Sequence, residues 1–310
     1  MSILITGTTG FVGADLKRFL AEKGHSIIEI NRNRQEGTFT FDDLILPECK
    51  GDVWIHLAAK SKDVQKPHLL DEYLEANVEL TKKVFDAFLN DDTANTFIYV
   101  SSVKAAAGRV EGYLTEEEEL KVDVPYGISK RLAEKYLLSV KLHSNKRLII
   151  LRPAMIFGIN SKGNLHSLFS FIKRGLPYPF AGFLNLRSLL STENFNHVIL
   201  SIIENPTFKA GIYNVSDDGA ISTNEIIEII GKSLSKKPLL LSIPKKLMTT
   251  IARMGDALHL PFNTAIINKL TDNYQVSNKK IVAELGQQLP YKTTERLAHL
   301  FKTLASVSKK

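Results

Sequence analysis

The chain of 310 residues has a single cysteine, Cys49. One thiol cannot close an intrachain disulfide, so stability has to come from an apolar core, and a reducing compartment suits the sequence. Long hydrophobic runs are also missing. The longest apolar stretches, such as "LIILRPAMIFG", are short and carry an arginine, so no segment reads as a membrane span and no membrane insertion is expected. The strand-like "SILIT" follows the first methionine directly, without a basic segment, apolar core and cleavage site. That argues against secretion and predicts a cytoplasmic protein. The eight histidines form no H-x-x-x-H, H-E-x-x-H or Cys/His pattern, so no metal site is expected. Repeats and low-complexity tracts are absent, which excludes a solenoid. Acidic residues are outnumbered 33 to 40, giving a net charge of +7. The lysines are scattered rather than gathered in basic stripes with interleaved aromatics, which excludes nucleic acid and leaves an anionic small molecule as partner.

What the chain does have is alternation. Short apolar strands at Ile3–Thr6, Ser26–Ile30, Asp52–Ala59, Thr96–Ser102 and Arg147–Ala154 are separated by segments with helical spacing, among them residues 71–90 with Tyr73, Leu80, Val84 and Phe88. This predicts an α/β fold, a doubly wound parallel sheet of Rossmann type covered on both faces. Residues 1–153 form the dinucleotide-binding domain, and the chain returns to it over about 183–217. Residues 154–182 and 218–310 form a smaller, mainly helical lobe over the cleft. "STNE" at Ser222–Glu225 reads as a capping-box helix start. Pro244–Leu258 reads as a lobe helix packed on its own core, with contact to a membrane surface as the weaker alternative.

"TGTTGFVG" places Gly7, Gly10 and Gly13 between a strand and a helix. Small residues there let the backbone approach a pyrophosphate, whose charge then rests at a helix N-terminus. The spacing is G-x-x-G-x-x-G rather than G-x-G-x-x-G. At the end of the second strand stands Asn31 where an acid would hold both ribose hydroxyls, with Arg32 and Arg34 beside it, which favours NADP over NAD. Tyr126 and Lys130, at i and i+4, project from one helix face, and a nearby ammonium favours phenolate. Ser102, at the end of a strand 24 residues earlier, supplies a second hydrogen bond to the same oxygen. The three make a proton donor or acceptor for a carbonyl or alcohol beside a nicotinamide. His56 reads as a satisfied core histidine, since nothing in the sequence makes it a base.

Over nearly its whole length the sequence resembles the extended short-chain dehydrogenase/reductases, the NAD(P)-dependent nucleotide-sugar epimerases, dehydratases and reductases. The resemblance rests on "TGTTGFVG", "HLAA", "NVELT", "VSSVKA", "PYGISK", "LRPAMIFG", "NLRSLLSTENF" and "YNVSDDGAIST". It implies Ser102, Tyr126 and Lys130 as the catalytic trio. It implies cofactor contacts from Gly7, Thr9, Gly10, Phe11, Val12, Gly13, Asn31, Arg32, Leu57, Ala58, Ala59, Tyr126 and Lys130, with Asp43 or its neighbour Asp42 near the adenine. Ser102, Lys104, Asn164 and Arg187 would meet the substrate, Arg187 at its nucleotide diphosphate. Asn77 would support the active-site helix or its proton relay.

Dehydratases of this family place an Asp–Glu pair directly after the catalytic hydroxyl. Val103 and Lys104 stand there and cannot do that acid–base work, so a dehydratase is not the expected activity. "SSVKA", "GLPYPF" and "NLRSLLSTENF" are most similar to the 4-keto reductases of surface-polysaccharide synthesis, the UDP-N-acetylquinovosamine dehydrogenase branch. The expected activity is NAD(P)H-dependent reduction of a UDP-linked 4-keto-6-deoxy sugar. The alternatives are a UDP-hexose 4-epimerase with tightly held NAD, and a dinucleotide-binding sensor without turnover. A homodimer is expected from the family.

Overall fold

The structure is a computed structural model that describes residues 1–61, 69–161, 163–257, 264, 267 and 271–307. In chain order the strands are β1 (Ser2–Thr6), β2 (Ser26–Asn31), β3 (Phe39–Thr40), β4 (Val53–His56), β5 (Thr96–Val100), β6 (Tyr113–Leu114) and β7 (Arg147–Pro153). They continue as β8 (Met155–Phe157), β9 (Leu186–Arg187), β10 (Leu189–Ser191), β11 (Gly211–Val215), β12 (Ile221–Ser222) and β13 (Gln275–Val276). A seven-stranded sheet runs β11-β7-β5-β4-β1-β2-β3, and every neighbouring pair in it is parallel. From β1 the chain builds outward to β3, then returns to the other side of β1 with β4. That reversal opens a crevice at the carboxyl ends of β1 and β4, where open α/β sheets bind ligands.

Strand residues alternate between two cores. Ile3, Ile5, Val53, Ile55 and Ile98 pack under α1 (Phe11–Glu22) and the helix Thr192–Glu204 through Leu16, Leu20, Phe195 and Val198. Leu4, Trp54, Phe97 and Ile150 face the opposite layer, with Val84, Phe85 and Phe88 of one helix and Ala133 and Leu137 of another. Burial on both faces is why these strands read as continuous apolar runs.

Residues 71–90 do not form a single α-helix. α2 (Leu70–Leu74) passes into a π turn at Glu75–Glu79 and then into α3 (Leu80–Leu89). The wider turn carries one more residue than an α-helical turn and puts Asn77, 1% exposed, into the interior. α4 (Val103–Ala106) and α5 (Pro125–Ser139) follow β5.

The lobe has its own core, in which Phe157, Leu165, Phe169, Ile226, Ile227, Ile230, Leu297 and Phe301 meet. Ser222 caps the helix Thr223–Leu234 in a full capping box with Glu225. In the helix Lys245–Ala257, Met248 and Ala252 face that core while Leu247 and Met254 are exposed. Among the described residues no helix is long and apolar enough to cross a membrane.

Candidate active site

The glycine loop closes against the end of β4. Gly7 has φ +80°, and a Cβ there would sit 2.9 Å from the Ala58 backbone. A Cβ on Gly13 would drive into the Gly7 carbonyl, so loop and helix pack too closely for any side chain. Gly10 is the N-cap of α1 with no side-chain cap, and the first turn carries no acid. The uncapped start of α1 and the helix dipole therefore suit a diphosphate. Thr9 is exposed at this rim, while Phe11 and Val12 are half-buried behind it.

At the end of β2 the Asn31 side chain is 2% exposed and turned inward, its Nδ2 donating to Thr8 Oγ1 at 2.9 Å. Thr8 in turn donates to Glu29 at 2.6 Å. Arg32 is exposed. Arg34 grips both Asp43 oxygens at 2.6 Å, and Asp43 also accepts from the Thr40 amide and hydroxyl. Hydrogen bonds from Thr40, helped by Arg34, hold the Asp43 carboxyl below its ordinary range. Asp42 pairs with Lys83. The structure thus ties Asn31, Arg34 and Asp43 to protein partners and leaves Arg32 at the surface of this rim.

Ser102 stands just after β5, and Tyr126 and Lys130 lie on α5. Ser102 caps α4, its Oγ accepting from the Lys104 amide at 3.2 Å, which leaves the hydroxyl proton for another acceptor. Pro125 starts α5 and sets Tyr126 in its first turn, half-buried. Lys130, one turn on and 2% exposed, donates to the Val100 carbonyl at 2.8 Å, and its Nζ lies 4.6 Å from the Tyr99 ring centre. Burial pulls its pKa down to about 7, with Glu134 opposing.

Below it lies a buried pair that the sequence reading missed. Glu134 accepts from Arg152 Nε and Nη2, at 3.0 and 2.6 Å, and from the Ser101 hydroxyl. Tyr126, Lys130 and Glu134 therefore form one stripe of α5, anchored to β7 through Arg152. An arginine inside the apolar run "LIILRPA" was the available signal, because a buried charge demands a partner.

The remaining expected contacts are spread around the cleft. Leu57, Ala58 and Ala59 follow β4, half-buried, with the Leu57 and Ala58 amides donating to Thr6 Oγ1. Lys104 does not reach out: its ammonium donates to the Gly108 carbonyl at 3.0 Å and lies 4.0 Å from the Tyr274 ring centre. Asn164 opens the lobe helix Asn164–Lys173 and is exposed. Arg187, on β9, pairs across to Ile221 in β12, and its Nε donates to the Asp272 carbonyl at 3.4 Å. Among the described residues no group of three His, Cys, Asp or Glu side chains could hold a metal.

A glycine cradle at a Rossmann switch point, joined to a Ser–Tyr–Lys trio, defines a protein of the short-chain dehydrogenase/reductase class. The model of the NAD dependent epimerase/dehydratase family matches residues 3–216, and the chain belongs to that family of NAD(P)-dependent enzymes. It is 29% identical to a UDP-glucose 4-epimerase of Vibrio cholerae, over 98% of this chain and 94% of that one. It is 26% identical to a UDP-2-acetamido-2,6-beta-L-arabino-hexul-4-ose reductase of Pseudomonas aeruginosa, over 83% of this chain and 62% of that one. Among solved structures, MoeE5 in complex with UDP-glucose and NAD superimposes with a TM-score of 0.77 at 18% identity, covering 99% of this chain and all of that one. The human epimerase family protein SDR39U1 with NADPH does so at 0.76 and 18%, covering 99% of each chain. These two likenesses show the fold.

Proposed function

We propose that the protein reduces the 4-keto group of a nucleotide-linked 4-keto-6-deoxy sugar, the nucleotide being UDP, with NADPH as reductant, in the synthesis of a surface polysaccharide. The observation that carries the choice of reductant is the end of β2. An acid there would repel a 2′-phosphate; instead Asn31 is turned into Thr8 and Arg32 stands exposed beside the rim. Membership of the family and the named relatives, which act on UDP-linked sugars, support the substrate class.

A bound nicotinamide supplies hydride transfer to the sugar C4. The chain's own groups handle the oxygen. Ser102 donates its spare proton to the C4 carbonyl oxygen, Tyr126 delivers a proton to the same atom, and Lys130 holds the cofactor ribose and favours the phenolate that remains. Gly7, Gly10 and Gly13 with the N-terminus of α1 take the pyrophosphate, and Arg187 with Asn164 takes the sugar nucleotide's diphosphate from the lobe side. The protein acts as a cytoplasmic homodimer.

A second reading, UDP-hexose 4-epimerase with retained NAD, is favoured by the full-length likeness to the Vibrio cholerae enzyme. The same trio would then work in both directions. Incubation with a UDP-4-keto-6-deoxy-N-acetylhexosamine and NADPH or NADH separates the two. Stoichiometric loss of reduced cofactor is expected. Interconversion of UDP-glucose and UDP-galactose without added cofactor, by protein that carries NAD when purified, would establish the epimerase instead.

A further inference from the structure

We propose that His56 is a positioning residue: as a neutral imidazole it links the floor of the cofactor cleft to the helix bearing Tyr126 and Lys130, through one unbroken chain of buried hydrogen bonds. The link rests on the reading of Tyr126 and Lys130 as cofactor- and substrate-facing groups.

Proton counting fixes the polarity of the chain. Thr6 Oγ1 already accepts from the Leu57 and Ala58 amides, at 3.2 and 3.1 Å, so its single proton goes to His56 Nδ1 at 2.7 Å. The ring proton must then sit on Nε2, which donates to Thr81 Oγ1 at 3.0 Å. Thr81 donates onward to the Asn77 backbone carbonyl at 2.6 Å. From the middle of the π turn Asn77 contributes a second time, through its side chain. Its Oδ1 accepts from the Lys60 amide at 2.7 Å, and its Nδ2 donates to the Lys60 carbonyl at 3.1 Å and to Ser129 Oγ at 2.9 Å. Ser129 closes the chain on the Tyr126 carbonyl at 2.8 Å.

Every proton is used once. Thr6, His56, Asn77, Thr81 and Ser129 are each at most 1% exposed, so a deleted member leaves its neighbours unpaired away from water. The imidazole also stacks on Tyr99, with ring centres 5.8 Å apart, and the Lys130 ammonium lies 4.6 Å from the centre of the same phenol ring. Burial, with Lys130 adding to it, holds the ring's pKa down to about 3, so it stays neutral through the working range and stores no proton. One end of the chain sets the Leu57 and Ala58 amides, and Ala58 closes on Gly7. The other sets the first turn of α5. His56 keeps them in register.

Two measurements test this without requiring turnover. In protein labelled with nitrogen-15 histidine, two-bond nitrogen–proton correlations should show one ring, assigned by replacing the other seven histidines one at a time, as an Nε2–H tautomer unchanged from about pH 5 to about pH 9. A buried ring that titrates in that range, or carries its proton on Nδ1, overturns the proposal. In a double-mutant cycle on the cofactor dissociation constant, Thr6→Val and Ser129→Ala should each weaken binding about tenfold. The double variant should be no more than about threefold weaker than the worse single one, because either change breaks the same unit. Losses that multiply overturn the link. Failure of every candidate sugar to react would sink the proposed reaction and leave both results readable.

Discussion

Lys130 holds an ammonium at 2% exposure with a carbonyl, a phenol face and a carboxylate for company. Burial lowers its folded pKa to about 7, against 10.5 for the ordinary side chain. Between those values the unfolded chain binds the extra proton, so this group makes stability rise with pH from about 7 to about 10.5. Under the proposed function the effect runs the other way: the cation proposed to favour cofactor and phenolate is lost as pH climbs past 7. Cofactor affinity measured by fluorescence titration should weaken above about pH 7 in the wild type. In Lys130→Arg, whose guanidinium stays charged, it should be flat. Tyr126→Phe should lower turnover by at least about 100-fold and leave cofactor affinity within about twofold, since only proton transfer is removed. The Glu134–Arg152 pair, at 3% and 2% side-chain exposure, has a different signature. Glu134→Gln leaves an uncompensated guanidinium and should cost about 3–5 kcal/mol in urea unfolding, most of it recovered when Arg152 is also replaced by Met.

At the scale of elements, α5 carries the proposed functional residues on one stripe and packing on another. Tyr126, Lys130 and Glu134 fall every four residues toward the cleft and its support, while Ala133 and Leu137 pack under the sheet. The π turn between α2 and α3 shows how an element departs from its expected period for a purpose. One extra residue in the turn brings Asn77 inward to meet both the loop after β4 and α5. In the lobe, Ser222 accepts from the Glu225 amide at 3.1 Å, and the Glu225 carboxylate accepts from the Ser222 amide at 2.8 Å. Ser222→Ala should therefore lower stability by about 1 kcal/mol by chemical denaturation and leave cofactor binding unchanged, because that helix lies outside the dinucleotide cradle.

For the whole molecule, the chain leaves the sheet after β11 at Asp217, whose carboxylate ties it to the end of β10. It accepts from the Ser191 amide and hydroxyl and from Asn194 Nδ2 at 2.7 Å. Burial outweighs those donors and raises its pKa to about 6 from 3.8. The folded state then holds a proton that the unfolded state has lost. The contribution is fully present below about pH 4 and is lost as pH rises through about 6, a change of about 3 kcal/mol. Unfolding measured across that range should show wild type losing ground to Asp217→Asn up to about pH 6 and then running parallel. Equal slopes throughout would place the carboxylate in contact with solvent.

The glycine loop, the apolar strands and the Tyr126–Lys130 spacing were legible in the sequence because each follows from local rules: close approach needs glycine, parallel strands need apolar runs, and i,i+4 residues share a helix face. A parallel sheet covered on both faces could be anticipated from the alternation, whereas the strand order, which places the crevice, came only from the tertiary structure. What the sequence could not reveal were pairings between residues far apart in the chain. Glu134 finds Arg152 from a different element, and Arg34 spends itself on Asp43. Asn31 turns into Thr8, and Lys104 folds back on Gly108 and Tyr274. His56 could be recognised as buried but not as a link, because Thr6, Thr81 and Asn77 come together only when β1, β4 and the π-turned helix pack. Local chemistry determined which residues could act. Burial and long-range pairing decided which charges are held by the fold and which groups remain for a ligand, since desolvation and partner choice exist only once distant segments are in contact.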